Sequence, residues 1–324
     1  MFDLIKKIIY KGRHFSWRLE WVLFLQYTLI HFFNEKSILI QYLYKKRDFY
    51  IKNYLIKKGY INTVITPDMI TKKTKRELDS NCIWIYWAQG WDNPPLHVEF
   101  CKNSVLKNAN GRKVILISDK NYRDYVNIPD YIEHKKKEGK ITITHFSDIL
   151  RFSLLADYGG LWLDASMFVM RPLKDHHMYK RSFYTIRLKE DFTNNRIISK
   201  ARWVGSCMGS NTKNHKIFLV GRNFFFKYWM KEVCLINYFL IDYFFDIIFK
   251  LDESLKEELL KNNYFNQGIY GLYKDINKTD LNLLNKGIYL KTDIYYLSWK
   301  KEYKKEIDGK KTIYSYLIDK IKNS

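Results

Sequence analysis

The chain is poor in the features that mark several protein classes. It has four cysteines, Cys82, Cys101, Cys207 and Cys234, and no Cys-x-x-Cys pair among them. A cysteine metal cluster is therefore not expected, and a reduced cytosolic setting fits. No apolar run reaches the roughly 18–20 residues of a spanning helix. The nearest, 233–249, is broken by Asn237, Asp242 and Asp246. No secretory signal is read at the start, where Lys6, Lys7, Lys11 and Arg13 interrupt the apolar residues and no small-residue cleavage site follows. Helix-turn-helix, zinc-finger and RNP-like patterns are missing, which leaves nucleic acid without support as a partner. Internal repeats are missing too.

Acidic residues are also in short supply: 34 against 56 Lys and Arg, for a net charge of +22. Such a surface attracts polyanions, anionic lipid or phosphorylated substrates, unless a general bias toward Lys, Ile, Asn and Tyr supplies the charge. Apolar residues make up 47% of 324, enough for one large core with helical additions. Residues 1–78 read as a basic, aromatic helical region, in which Trp17, Trp21, Phe24, Leu25 and Thr28 recur at helical spacing beside Arg13, Arg18, Lys36 and Lys45-Lys46-Arg47. This is the pattern of an interfacial helix on an anionic leaflet, or of an ordinary amphipathic helix docked on the core.

Residues 79–212 alternate strand and helix. The expected order is strand 82–87, helix 95–108, strand 113–118, helices near 121–126 and 130–138, strand 141–144, then a helix over 147–158. It predicts an α/β fold with a doubly wound, mostly parallel sheet. Ser147 is read as the N-cap of the last helix, with Asp148 in its first turn. Asp148 and Arg151 share a helix face. Gly159-Gly160 turn the chain into the strand Leu161-Trp162-Leu163, and Asp164 emerges at its carboxyl end, where open α/β sheets place ligands. Short strands are expected at 167–170 and 182–188. His176-His177 read as surface residues, because neighbouring side chains diverge and lack partners at ligand spacing. Residues 213–324 read as a helical region followed by a loop and a basic tail. Asp242 and Asp246, four apart on one helix face, read as structural ion pairs, with contacts to acceptor hydroxyls as the alternative.

Ser147-Asp148-x-x-Arg151 followed by Tyr158-Gly159-Gly160-x-Trp162-x-Asp164-Ala165-Ser166 resembles the capsular polysaccharide synthesis glycosyltransferases. These are similar to the wider Asp-x-Asp sugar transferases, among them the initiating mannosyltransferases and the large clostridial toxins. Lys200–Ser210, 237–243 and 295–300 extend the likeness. It implies a GT-A-like core at 79–212 and, at 213–324, an acceptor-side region whose late loop returns to the site. The implied reaction is metal-assisted, retaining transfer of a sugar from a nucleotide diphosphate, UDP favoured. The implied acceptor is a capsular or surface saccharide, lipid-linked, met at the inner face of the cell membrane.

On that resemblance Asp164, Arg151 and Asp148 are the catalytic candidates. Trp87 is a stacking surface for the base, with Gln89 beside it. Asp148, Arg151, Tyr158, Ser298, Trp299 and Lys300 are further donor contacts. Asp164 and Ser166 would hold Mn²⁺ or Mg²⁺, whose preference is for oxygen ligands. Ser166 stands where the wider group has its second aspartate. Two competing readings are a transferase fold kept as an inactive scaffold and a basic protein that binds polyanions or membranes.

Overall fold

The computed structural model describes residues 2–173, 181–190, 195–262, 265–298 and 300–322. Among them, eleven helices and a five-stranded sheet form a mixed α/β fold. The chain begins with helices α1 (Phe2–His14), α2 (Trp17–Leu29) and α3 (Ile38–Lys57). Ser16 and Ser37 cap the second and third, each accepting a backbone N–H three residues on. Val22, Leu25 and Leu29 pack against Ile40, Leu43 and Tyr44, so α2 and α3 form a helical hairpin. Trp17 and Trp21 face outward. The hairpin is fixed to the rest of the chain through Glu232, which is buried. This carboxylate accepts from the hydroxyls of Tyr54, at 2.7 Å, and Tyr60, and pairs with His14 at 2.5 Å.

Next come β1 (Cys82–Tyr86), α4 (Leu96–Asn108), β2 (Lys113–Ile117), α5 (Asp130–Lys137), α6 (Ile143–Tyr158), β3 (Gly160–Leu163), β4 (Met167–Val169), β5 (Tyr184–Thr185) and β6 (Cys207–Ser210). The sheet order is β2-β1-β3-β6-β5. The first three strands are parallel; β6 runs antiparallel to both its neighbours, so four of the five share one direction. All five residues of β1 are buried, as its β-branched and aromatic sequence requires of a central strand. Ile83, Ile85, Leu161 and Leu163 pack on one side with Val98 and Val105 of α4. Cys82, Trp84, Tyr86 and Trp162 pack on the other with Ile149, Phe152 and Leu155 of α6.

Several expectations are corrected. Residues 141–144 form no strand. Thr142 caps α6, its hydroxyl accepting from His145 N–H at 3.2 Å, and the β-branched run Ile141–Thr144 straddles that cap. Ser147 is thus inside the helix and caps nothing. The expected strand at 182–188 shortens to two residues, and the helix near 121–126 is a single 3₁₀ turn, Tyr122–Asp124. His176-His177 and Trp299 lie outside the described residues. Where α6 ends, Gly159 (φ 71°) and Gly160 (φ 90°) adopt conformations that side chains disfavour. A Cβ on Gly160 would meet Cys82 Sγ at 2.7 Å and Cys82 O at 2.8 Å.

The expected helical stretch after 213 is three helices: α7 (Lys216–Lys231), α8 (Leu240–Leu251) and α9 (Glu253–Leu260). Phe152 of α6 anchors the first two, its ring set against Phe218 and Phe225 of α7 and Phe244 and Phe245 of α8. After α10 (Gly271–Asp275) the chain returns as β7 (Ile294–Tyr296), which pairs antiparallel with β4, and α11 (Ile313–Lys322) follows. The strand at 167–169 therefore belongs to this small sheet and not to the main one.

Candidate active site

The carboxyl ends of β1 and β3 open into a cleft of about 540 Å³. Trp87 and Gln89 line it from the loop after β1; Ser147, Asp148 and Arg151 line it from α6. Asp164 and Ser166 come from the loop after β3, Tyr238 from just before α8, Asp242 from its first turn, and Tyr296 from β7. Among the candidates, Trp87, Gln89, Asp148, Arg151, Asp164 and Ser166 are thus brought together.

Arg151 is the centre of this group. Its Nη1–H donates to Asp148 Oδ1 at 2.8 Å and its Nη2–H to Asp164 Oδ1 at 2.9 Å. Both Arg151 and Asp148 are buried, while the Asp164 side chain keeps a third of its surface exposed. The guanidinium also lies 5.0 Å from the Trp162 ring, whose indole N–H donates to the same Asp164 Oδ1 at 2.6 Å. Trp162 and Asp164 are two apart in an extended chain, so both side chains reach the same side. The backbone N–H of Asp164 donates to Ser206 O at 3.0 Å, which fixes the loop from the β6 side. Behind Asp148, His145 Nδ1 stands 3.6 Å from Oδ2, and the Trp229 indole donates to His145 Nε2 at 2.8 Å. That bond puts the ring proton on Nδ1, facing Asp148.

Tyr158 is not at the cleft. It lies ten residues beyond Asp148, about 15 Å along the helix axis. Buried against Trp84, its hydroxyl donates to Tyr125 O at 2.8 Å and accepts from Arg76 N–H at 3.2 Å. The late loop does return: Leu297 N–H donates to Ser166 O at 2.9 Å. Its cleft-lining residue is Tyr296, however. Ser298 Oγ accepts from Lys300 N–H at 3.2 Å, and the Lys300 side chain is exposed.

Asp242 and Asp246 diverge. Asp246 is the ion-pair centre, contacting Arg202 (2.7 Å), Lys52 (2.9 Å) and Lys250 (2.9 Å), which hold it down at about 2 against the opposing effect of burial. Asp242 makes no ion pair among the described residues. It lines the cleft and accepts the Trp203 indole N–H at 2.7 Å. Burial, with the charge of Asp148 adding to it, pushes its carboxyl up to about 6. The apolar spacing of α8 could not reveal which of the two faced a cleft.

Asp164 suits a hard divalent cation: a strand-end carboxylate in the cleft, partly open to solvent, with Ser166 on the same wall. Among the described residues no group of three or more His, Cys, Asp or Glu is gathered to hold an ion. A cation here would take most of its ligands from phosphate oxygens and water, as Mg²⁺ commonly does.

The sequence profile of a family described as "Capsular polysaccharide synthesis protein" matches residues 22–317. Over 105 residues the chain is 29% identical to the O-glycosyltransferase PaGT of Phomopsis amygdali, covering 29% of this chain and 25% of that protein. Over 133 residues it is 24% identical to the O-glycosyltransferase braB of Annulohypoxylon truncatum, covering 35% of this chain and 31% of that protein. The chain thus spans a quarter to a third of the curated relatives it matches. No solved structure matches it.

Proposed function

The chain belongs to the capsular polysaccharide synthesis protein family, and from that premise we propose that it is a glycosyltransferase. It moves a sugar from a nucleotide diphosphate donor, UDP favoured, to a hydroxyl of a capsular or surface saccharide, lipid-linked, with retention of configuration. The observation that carries this reading is the buried Arg151 bridging Asp148 and Asp164 at the floor of a cleft that has an aromatic rim. The two relatives named as O-glycosyltransferases support the reaction class.

The chemistry assigns each side chain a task. Trp87 offers a flat, half-buried face beside Gln89 at the rim, suited to a nucleobase. The guanidinium of Arg151 presents fixed positive charge where the departing diphosphate gains negative charge. Asp148 holds that guanidinium in place, and His145 stands behind it at 3.6 Å, beyond hydrogen-bond reach. Asp164 and Ser166 would hold Mn²⁺ or Mg²⁺; when bound, such an ion neutralises charge on the diphosphate. Asp242 and Tyr238, from the α8 side of the cleft, orient the acceptor hydroxyl. The leaving phosphate oxygen takes the acceptor's proton, so none of these side chains is required as a base. We read the sheet as a GT-A-like core.

A melting screen against nucleotide sugars, with and without Mn²⁺, tests the reading directly. Stabilisation by one UDP-sugar, greater with Mn²⁺, is the expected outcome. No stabilisation by any nucleotide sugar would remove it.

A further inference from the structure

The hairpin of α2 and α3 carries an apolar tip that nothing in the cleft explains. Between Leu29 and Ile38 the chain turns, and at that turn Phe32 is 82% and Ile38 is 90% exposed, with Phe33 and Leu39 exposed beside them. So many large apolar side chains within eight residues at one exposed turn go beyond the scattered surface hydrophobics that need no explanation. The outward face of α3 continues the patch, since Ile38, Tyr42, Lys45 and Phe49 recur at helical spacing and all are exposed. The inward face is satisfied by packing on α2.

Positive charge surrounds this apolar surface. Residues 1–60 hold twelve Lys and Arg against four Asp and Glu. Three of those four carboxylates are already engaged or buried: Glu20 is buried, Glu35 pairs with Arg196 at 2.8 Å, and Asp48 pairs with Arg47 at 2.8 Å. Lys36 is exposed at the turn itself. Beside Phe49 a cavity of about 430 Å³ is lined by Lys45, Lys52, Lys200, Arg202 and Lys250; Lys52, Arg202 and Lys250 share the one carboxylate of Asp246, so the lining keeps a net positive charge. Burial first, then the charge of Arg202, pulls the Lys200 ammonium below the ordinary lysine range, against the opposing charges of Asp48 and Asp246. An apolar tip flanked by cations, on helices too short or too polar to span a bilayer, matches one kind of surface. It is the interface of a membrane with anionic headgroups.

We propose that the α2–α3 hairpin docks the protein on an anionic lipid surface, inserting Phe32 and Ile38 while the Lys45–Lys250 cavity takes lipid phosphate. The docking is independent of sugar transfer, because none of these residues lines the cleft.

Sedimentation of the full chain with vesicles tests it, using phosphatidylcholine alone or with phosphatidylglycerol added. Binding is expected only with the anionic lipid, falling as salt rises. The double substitution Phe32→Ser/Ile38→Ser, at residues exposed enough to leave folding intact, is expected to weaken partition by at least about tenfold. Lys45→Gln is expected to weaken it roughly fivefold, the effect of one cation at such a surface. Equal melting temperatures confirm that the variants fold. Three results overturn the proposal: no binding to anionic vesicles; variants that bind as the wild type does; or inorganic phosphate protecting the chain while vesicles leave it unbound. Concentration-dependent dimers abolished by the double substitution, with vesicle binding unchanged, would assign the tip to a second copy instead and equally overturn it.

Discussion

Arg151 touches Asp148 and Asp164 with separate nitrogens, Nη1 at 2.8 Å and Nη2 at 2.9 Å, and so ties the helix before the glycine turn to the loop after the strand. Lysine has one ammonium and cannot span both carboxylates with fixed, planar geometry. Arg151→Lys is expected to lower kcat by about 100-fold with a nucleotide sugar. Arg151→Met leaves a buried carboxylate unpaired and is expected to lower stability by about 3–5 kcal/mol. Steady-state rates and denaturant unfolding measure the two effects. A lysine variant with wild-type kcat would remove Arg151 from the chemistry.

Asp164→Asn keeps the shape of the side chain and removes its charge. Turnover is expected to fall by at least about 100-fold, while melting shifts by only a few degrees, because the side chain is partly exposed. Chelator is expected to silence the wild type, and Mn²⁺ or Mg²⁺ to restore it. Undiminished turnover by the asparagine variant would end the assignment of Asp164.

Asp242 carries the opposite pH signature from most carboxylates. Its folded value is raised to about 6 from an ordinary 3.8, so the folded state favours the proton. The penalty is absent below about pH 4, grows between pH 4 and 6, and is constant above. Asp242→Asn is therefore expected to stabilise the protein by up to about 3 kcal/mol at pH 8 and by little at pH 4, as unfolding in urea at the two pH values would measure. The KM for the acceptor should rise in the same variant. Equal gains at both pH values would refute the burial effect.

Asp246 behaves the usual way. Held down at about 2 by Arg202, Lys52 and Lys250, it contributes stability above about pH 4, which is lost as pH falls from 4 to 2. The loss is about 2 kcal/mol. An Asp246→Asn variant is expected to be weaker near neutrality and to show a flatter acid limb in urea unfolding. Superimposable acid limbs would contradict the ion-pair account.

The turn between α6 and β3 was legible from Gly159-Gly160, and Trp162-x-Asp164 announced a carboxylate at a strand end. The start of that helix was misread because Ile141–Thr144 is β-branched and Ser147 is itself a good cap; local propensity cannot decide between two available caps. Tyr158 belonged to the motif but not to the cleft, since a helix carries its ends far apart. Asp242 and Asp246 had the same spacing and opposite fates, because tertiary partners distant in sequence, Trp203 and Lys52, decide them. The reversal of β6 likewise has no signature in four buried residues.

Gly160→Ala tests the turn. With φ at 90° and a Cβ driven toward Cys82, the variant is expected to lose about 2–4 kcal/mol. Calorimetry measures it; a melting temperature equal to the wild type would mean that β1 and β3 can separate to admit a methyl group.

The pairing of β4 with β7 joins segments more than a hundred residues apart, and Tyr296 and Leu297 reach the cleft loop only through it. A nascent chain emerging from the ribosome therefore carries Asp148, Arg151 and Asp164 long before their surroundings are closed. The cleft is finished only once residues through Leu297 have been made, so a product terminated before β7 would display Asp148 and Asp164 without completing the enclosure around them.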